Sequence, residues 1–135
     1  MSKATTFIMA GALALAAGEL MVWRSAPSSP ALPKADTTAA LTALGDSIFH
    51  GKAANGICFT CHNANARGVK GMGPDLTDAK WLHGDGSLEA IKATIEKGVP
   101  KPKESPIPML PGGGTKLSPT QLLAVASYVK SLGPK

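Results

Sequence analysis

The stretch Cys58-Phe59-Thr60-Cys61-His62 constrains this chain more than any other feature of its sequence. Two thiols three positions apart, followed directly by a histidine, form the C-x-x-C-H pattern that is typical of covalent haem attachment. The thiols can reach the two vinyl groups on one edge of a porphyrin and form thioethers with them. His62 then lies under the ring, where one of its nitrogens can bind the iron. The motif therefore predicts one covalent haem c.

Three other uses of such a cysteine pair fit the sequence less well. A thioredoxin-like dithiol is expected after a strand in a βαβ context, which the surrounding sequence lacks. A structural zinc site needs four ligands, and no second pair of cysteines or histidines stands at a suitable spacing. A disulfide between such close neighbours would be strained.

The composition indicates a small domain built around a bound group. The chain has 135 residues, of which 4% are aromatic, so few large side chains are available to fill a core. A buried porphyrin would supply that apolar bulk. The formal net charge is +5, but no basic run with interleaved aromatic residues is present, which argues against a nucleic-acid partner. An acidic protein partner or a solvated surface explains the charge better.

Residues 1–23 are predicted to form a signal anchor or transmembrane helix. Residues 7–23 are apolar except for Glu19, and as a helix they would span about 25 Å of a bilayer. Lys3 precedes the stretch, and Trp23 ends it where amphipathic rings collect at a membrane boundary. Since haem is attached outside the cytoplasm, we expect an N-terminally anchored domain on the periplasmic face of the bacterial cytoplasmic membrane. A cleaved secretory signal, which would leave a soluble periplasmic protein, is the alternative.

The rest of the chain divides into a tether and one domain. Residues 24–38 are rich in Pro and Ser, and such stretches bury little and tend to be extended. Residues 39–135 are predicted to form the globular domain, in which no strand signal of any weight is present.

Apolar periodicity in the domain predicts helices only. The first is expected over residues 39–54, and a later one over residues 88–97 with Ser87 as its N-cap. A last helix is expected to begin at the capping box of Ser118 and to end at Leu132. The predicted fold class is all-α, with about three to five helices around one haem and an apolar helix at the N-terminus.

With these motifs in place, residues 39–132 resemble the class I monohaem cytochromes c. In that family the first and last helices cross at a small residue and an aromatic one. Gly45 and Phe49, facing Val125 and Tyr128, match this pattern. Residues 73–84 are more narrowly similar to the cytochrome c subunits of high-affinity haem–copper oxidases. Those subunits usually carry two haem domains, whereas this chain has one C-x-x-C-H motif.

The resemblance also assigns roles to residues after the motif. It implies that the Pro74 carbonyl accepts a hydrogen bond from the His62 ring, which fixes the orientation and basicity of the ring. It suggests that Trp81 donates its indole N–H to a haem propionate, although packing against the ring fits nearly as well. Arg67 is a weaker propionate candidate.

Met109 is the predicted sixth ligand of the iron. It lies just before the last helix, where the family places its distal methionine, in a loop stiffened by Pro106, Pro108 and Pro111. Met72 follows His62 closely, beside the proline expected on the proximal side, and is interpreted as packing. His50 and His83 are the rival ligands. We expect His50 on the solvent face of the first helix and His83 in the loop before residues 88–97.

Two filled axial positions predict an electron carrier rather than an enzyme, because no coordination position is left for a small-molecule substrate. Expected partners are a cytochrome bc-type complex, a terminal oxidase or a photosynthetic reaction centre, which the protein would serve as a tethered carrier or a fixed subunit. Lysines near the distal loop can steer an acidic partner, namely Lys101, Lys103 and Lys116. One alternative is a haem enzyme or gas sensor with Met109 off the iron. Another is an assembly subunit whose anchor matters more than its redox activity.

Overall fold

The computed structural model describes residues 34–134. Four α-helices follow one another along these residues, and a short 3₁₀ helix at Pro111–Gly114 precedes the last of them. The helices are α1 (Lys34–Phe49), α2 (Cys58–His62), α3 (Leu88–Lys97) and α4 (Pro119–Leu132). Within the described range β-pairing is limited to two isolated bridges, Val69 with Gly73 and Val99 with Met109. The predicted all-α class is confirmed.

The predicted anchor over residues 7–23 lies outside the described residues. In the part of the chain that the structure describes, no helix combines the length and the apolar character needed to cross a membrane.

Helix α1 both begins and ends earlier than predicted. It starts at Lys34 rather than at residue 39, so the last part of the predicted tether is helical. Residues 37–40 are exposed and carry no apolar stripe, and for this reason periodicity could not reveal the first turns. The helix stops at Phe49, and Gly51 then adopts a left-handed conformation (φ +75°) that suits a residue just after a helix end.

Helices α1 and α4 cross where α1 has no side chain. Gly45 is buried, and a Cβ there would collide with the Ala124 carbonyl and would lie 2.7 Å from Cβ of Tyr128. The ring of Phe49 packs on that of Tyr128 with 5.4 Å between the centroids. Val125 is buried in the same core, although the atom nearest to Gly45 belongs to Ala124. The small-plus-aromatic crossing therefore forms as the resemblance implied.

Helices α3 and α4 begin at the predicted caps. The Ser87 hydroxyl accepts a hydrogen bond from the Ala90 N–H at 3.2 Å, and Gly98 (φ +69°) ends α3. In α4 the Ser118 hydroxyl accepts from the Gln121 N–H, and the Gln121 side chain accepts from the Ser118 N–H. Both caps satisfy helix N–H groups that have no partner within the helix. Ile91 and Ile95, four positions apart on α3, are buried.

His50 is not on the solvent face, and this sequence expectation is wrong. Its Nδ1 lies 2.9 Å from the Asp46 carbonyl oxygen, and its Nε2 lies 2.8 Å from that of Ala64. Its side chain is 22% exposed, and the ring therefore joins the end of α1 to the loop that follows the cysteine motif. Carbonyl oxygens only accept, so the doubly protonated ring satisfies both contacts at once. The Ala64 carbonyl, above all, raises the pKa of His50. Partial burial opposes this shift, the Asp46 carbonyl and carboxylate add to it, and Lys52 opposes it slightly.

This arrangement makes part of the stability depend on pH. Because the folded pKa of His50 lies above its ordinary value of 6.5, the contribution is present in full below about pH 6.5 and is lost as the pH rises through the folded pKa. We expect the difference in unfolding free energy between wild type and His50→Gln to shrink as the pH rises from about 6.5 through the folded pKa. Denaturant unfolding of both proteins at several pH values measures this difference in free energy. A difference that stays constant over this range would show that His50 carries no extra proton in the folded state.

Candidate cofactor site

All six residues that the sequence marked line one cavity of about 300 Å³. Apolar side chains from α1, α3 and α4 form most of its inner wall, including Phe49, Ile91, Ile95 and Val125. The six marked residues are Cys58, Cys61, His62, Pro74, Trp81 and Met109. The fold thus brings together residues that lie up to 51 positions apart, the separation of 58 and 109.

The two cysteines occupy the same side of a single short helix. Residues three apart are neighbours on a helix surface, so the fold of α2 directs both Cys58 and Cys61 to the cavity. Both thiols are free of any disulfide. Burial raises the pKa of the Cys58 thiol, whereas a reactive dithiol has a lowered one. The burial of Cys58 therefore argues against a redox-active dithiol at this site.

A close backbone approach holds the cysteine helix against the next segment. Gly73 packs on Cys61 so tightly that a Cβ at this position would lie 2.7 Å from the Cys61 carbonyl oxygen. The residue that follows, Pro74, is thereby placed beside His62.

His62 presents one nitrogen to the cavity. It is 9% exposed, and its Nδ1 lies 3.0 Å from the Pro74 carbonyl oxygen. Because a carbonyl only accepts, Nδ1 carries the proton and Nε2 keeps its lone pair. Burial lowers the pKa of His62, and the Pro74 contact opposes this shift only in part. The neutral ring with a free Nε2 is the form that binds a metal.

Met109 is fixed by its backbone to the end of α3. Its N–H donates to the Val99 carbonyl at 3.1 Å, and its carbonyl accepts from the Val99 N–H at 2.8 Å. Gly98 is necessary for this approach, because a Cβ there would overlap the Met109 carbonyl and would lie 2.7 Å from the nitrogen of Pro111. The sequence gives no sign of this contact, because a glycine after a helix indicates only the end of the helix.

The other three candidate ligands, Met72, His83 and His50, differ in their position relative to the cavity. Met72 and His83 both line the cavity, so position in the fold does not exclude them. Met72 belongs to the wall that carries His62, since the next residue packs on Cys61. His50 is not among the residues that line this cavity, and both of its nitrogens already face carbonyl oxygens.

Trp81 is half-buried, and two residues that the sequence analysis missed hold its ring. Gly86 (φ +75°) lies so close that a Cβ there would be 2.5 Å from Cδ1 of the indole. The Lys130 ammonium group on α4 donates to the Gly86 carbonyl at 2.7 Å and so fixes the glycine in turn. Nε1 of the indole is the atom nearest to the Cβ position of Gly86. Arg67 is exposed and lines a separate concavity, not this one.

Together these features fit a covalently bound haem. Two thiols on one side of a helix face the cavity, a neutral imidazole presents a lone pair, and apolar side chains make up the walls. Gly113 also lines the cavity, and a Cβ there would lie 3.6 Å from Sγ of Cys58, in ordinary van der Waals contact.

Comparison with known proteins gives the same fold. The family model described as Cytochrome c matches residues 27–133. Among solved structures, cytochrome cL from the marine methylotroph Methylophaga aminisulfidivorans MPT is similar with a TM-score of 0.53 and 21% identity. The match covers 73% of this chain and 60% of that one, and at this identity it supports the fold alone.

Curated relatives are longer proteins. The chain is 43% identical over 79 residues to the Cbb3-type cytochrome c oxidase subunit FixP of Bradyrhizobium sp. (strain ORS 278). It is 44% identical over 90 residues to the Cbb3-type cytochrome c oxidase subunit CcoP of Rubrivivax gelatinosus. The two matches cover 56% and 67% of this chain, but 26% and 25% of the relatives. The chain therefore spans about a quarter of the length of the curated relatives it matches.

Proposed function

This chain belongs to the cytochrome c family, and on that premise we propose that it carries electrons through one haem c held by Cys58, Cys61, His62 and Met109. Covalent haem c and electron transfer follow from the family. The particular residues and the His/Met ligation are the proposal. One observation carries it: an imidazole with a free Nε2 and a methionine with a fixed backbone line the same cavity as both thiols.

Each of these residues has one task. Cys58 and Cys61 anchor the edge of the porphyrin, and His62 offers Nε2 to the iron while the Pro74 carbonyl holds its ring. Met109 offers its sulfur from the segment that Val99 fixes. Haem iron supplies a one-electron couple, and a thioether ligand raises its potential relative to a second imidazole. Trp81 is proposed to donate its indole N–H to a propionate.

Electrons are proposed to enter or leave beside Cys58. Ile57 and Leu110 are 51% and 58% exposed there, and a Cβ at Gly114 would lie within 3.6 and 3.7 Å of their terminal carbons. These side chains form an apolar surface at the cavity edge. A redox protein that docks on this surface comes closest to the thioether edge of the haem.

The partner is proposed to be a terminal oxidase. Support comes from relatives that are named as subunits of cbb3-type cytochrome c oxidases. We propose further that residues 1–23 anchor the protein at the periplasmic face of the membrane and that the domain serves as a fixed subunit or a tethered carrier. A short tether would raise the effective concentration of the domain near its acceptor.

Carbon monoxide binding tests the proposal, because this ligand needs an open coordination position. We expect the ferrous protein at neutral pH to bind no carbon monoxide, and the ferric protein to show the near-infrared charge-transfer band of methionine–iron coordination. Rapid carbon monoxide binding by the wild-type protein would contradict the proposal and would indicate a haem enzyme or gas sensor instead.

A further inference from the structure

The segment between Val99 and Met109 forms a closed loop, here called the strap (residues 100–108). The two hydrogen bonds of the Val99–Met109 bridge join its ends, so Met109 is its exit point. Prolines fix φ at several of its positions and reduce the number of shapes that it can adopt, namely Pro100, Pro102, Pro106 and Pro108. A contact that fixes the strap therefore also restricts the position of Met109.

Ser105 joins the strap to the segment that contains Gly71 and Met72. Its hydroxyl oxygen lies 3.1 Å from the Gly71 carbonyl oxygen and 3.1 Å from that of Met72. The same oxygen accepts a hydrogen bond from the Ile107 N–H at 3.0 Å. The single hydroxyl proton has three carbonyl oxygens within reach, and those of Gly71 and Met72 are slightly nearer than that of Ile107 at 3.2 Å.

The Gly71–Met72 pair belongs to the segment that positions His62. Two hydrogen bonds between Val69 and Gly73 close the turn that contains the pair. The next residue is Pro74, whose carbonyl accepts from Nδ1 of His62. A single hydroxyl therefore connects the methionine segment with the segment that orients the histidine.

A second contact crosses the same gap but is weaker. The Lys80 ammonium group lies 2.7 Å from the Glu104 carboxylate, and their side chains are 70% and 52% exposed. Exposed pairs of this kind contribute little, because water competes for both charges. The Ser105 contacts with Gly71 and Met72 are partly buried, so this residue is the stronger link.

We propose that Ser105 is a positioning residue that keeps the Met109 sulfur on the iron by tying the strap to the Gly71–Met72 carbonyls. The inference rests on the proposed ligation by Met109. On this proposal the strap moves away when the Met109 side chain swings off the iron, and the hydroxyl bond breaks. Removing the hydroxyl therefore favours the form without the methionine ligand.

Imidazole binding to the ferric holoprotein measures the fraction of protein without the methionine ligand, because imidazole takes the position that Met109 vacates. Its apparent affinity is proportional to the fraction of protein in which that position is open. Loss of one hydrogen bond, with partly buried acceptors left behind, changes such an equilibrium by roughly tenfold. We expect Ser105→Ala to bind imidazole about ten times more tightly than wild type.

Two control variants separate positioning from general stability. Ser105→Thr keeps the hydroxyl and is expected to bind imidazole like wild type. Ser131→Ala removes an exposed hydroxyl that bonds only within α4, to the Tyr128 carbonyl, and is expected to leave the affinity unchanged. Thermal unfolding of each holoprotein is followed in parallel.

Two results would overturn the inference in different ways. If Ser105→Ala unfolds at a lower temperature but binds imidazole with wild-type affinity, the residue is merely structural. If the wild-type protein lacks the methionine–iron charge-transfer band, ligation by Met109 fails, and the positioning role fails with it.

Discussion

Met109→Ala is expected to turn a protein that excludes carbon monoxide into one that binds it. Alanine has no sulfur, and the Val99–Met109 bridge uses only backbone groups, so the segment keeps its path while the coordination position opens. The ferric charge-transfer band should vanish completely, and the reduction potential should fall because the thioether no longer favours ferrous iron. Absorption spectroscopy, with and without carbon monoxide, measures the change.

Met72→Ala is the matched control for this prediction. Met72 lines the same cavity and is also half-buried, but it lies on the wall that carries His62. We expect this variant to keep the band and to exclude carbon monoxide. If Met72→Ala loses the band and Met109→Ala keeps it, the two methionines have been assigned the wrong way round. His83→Ala tests the remaining candidate in the same assay.

The double variant Cys58→Ala, Cys61→Ala is expected to lose all of its haem on denaturation. Both thiols face the cavity from one short helix, and nothing else within residues 34–134 offers a cysteine for a thioether. His62 and Met109 can still bind the iron in the folded variant, but unfolding removes both ligands. Extraction with acidified organic solvent measures the free pigment.

Thr60→Ala provides the control, because Thr60 lies between the two cysteines and is exposed. We expect its haem to stay with the polypeptide after the same extraction. Pigment that remains bound to the double variant would mean that another residue forms the covalent link.

The starts of α3 and α4 could be predicted because their signals are local. Ser87 and Ser118 cap helices through bonds to residues three positions away, so a short window of sequence contains both partners. The start of α1 could not be predicted, because its exposed first turns carry no apolar pattern. Helix propensity could have indicated these first turns, but apolar periodicity was the stronger signal and indicated a later start of the helix.

Contacts between distant segments could not be predicted from the sequence. Ser105 bonds to carbonyls 33 and 34 positions away, and a serine in a proline-rich loop gives no sign of such a partner. His50 was placed in solvent because the loop that supplies the Ala64 carbonyl cannot be located from a helical wheel. The C-x-x-C-H motif identified Cys58 and His62 directly, because residues that are close in sequence can be recognised without knowledge of the fold.

Covalent attachment of one haem to Cys58 and Cys61 is the central claim, and the mass of the denatured chain tests it most directly. Protein is made in cells competent in haem attachment, denatured, and measured intact and after digestion. The mass of the polypeptide plus one haem is predicted, with the added mass on the peptide that contains residues 58–62. A chain with the mass of the polypeptide alone would contradict the account.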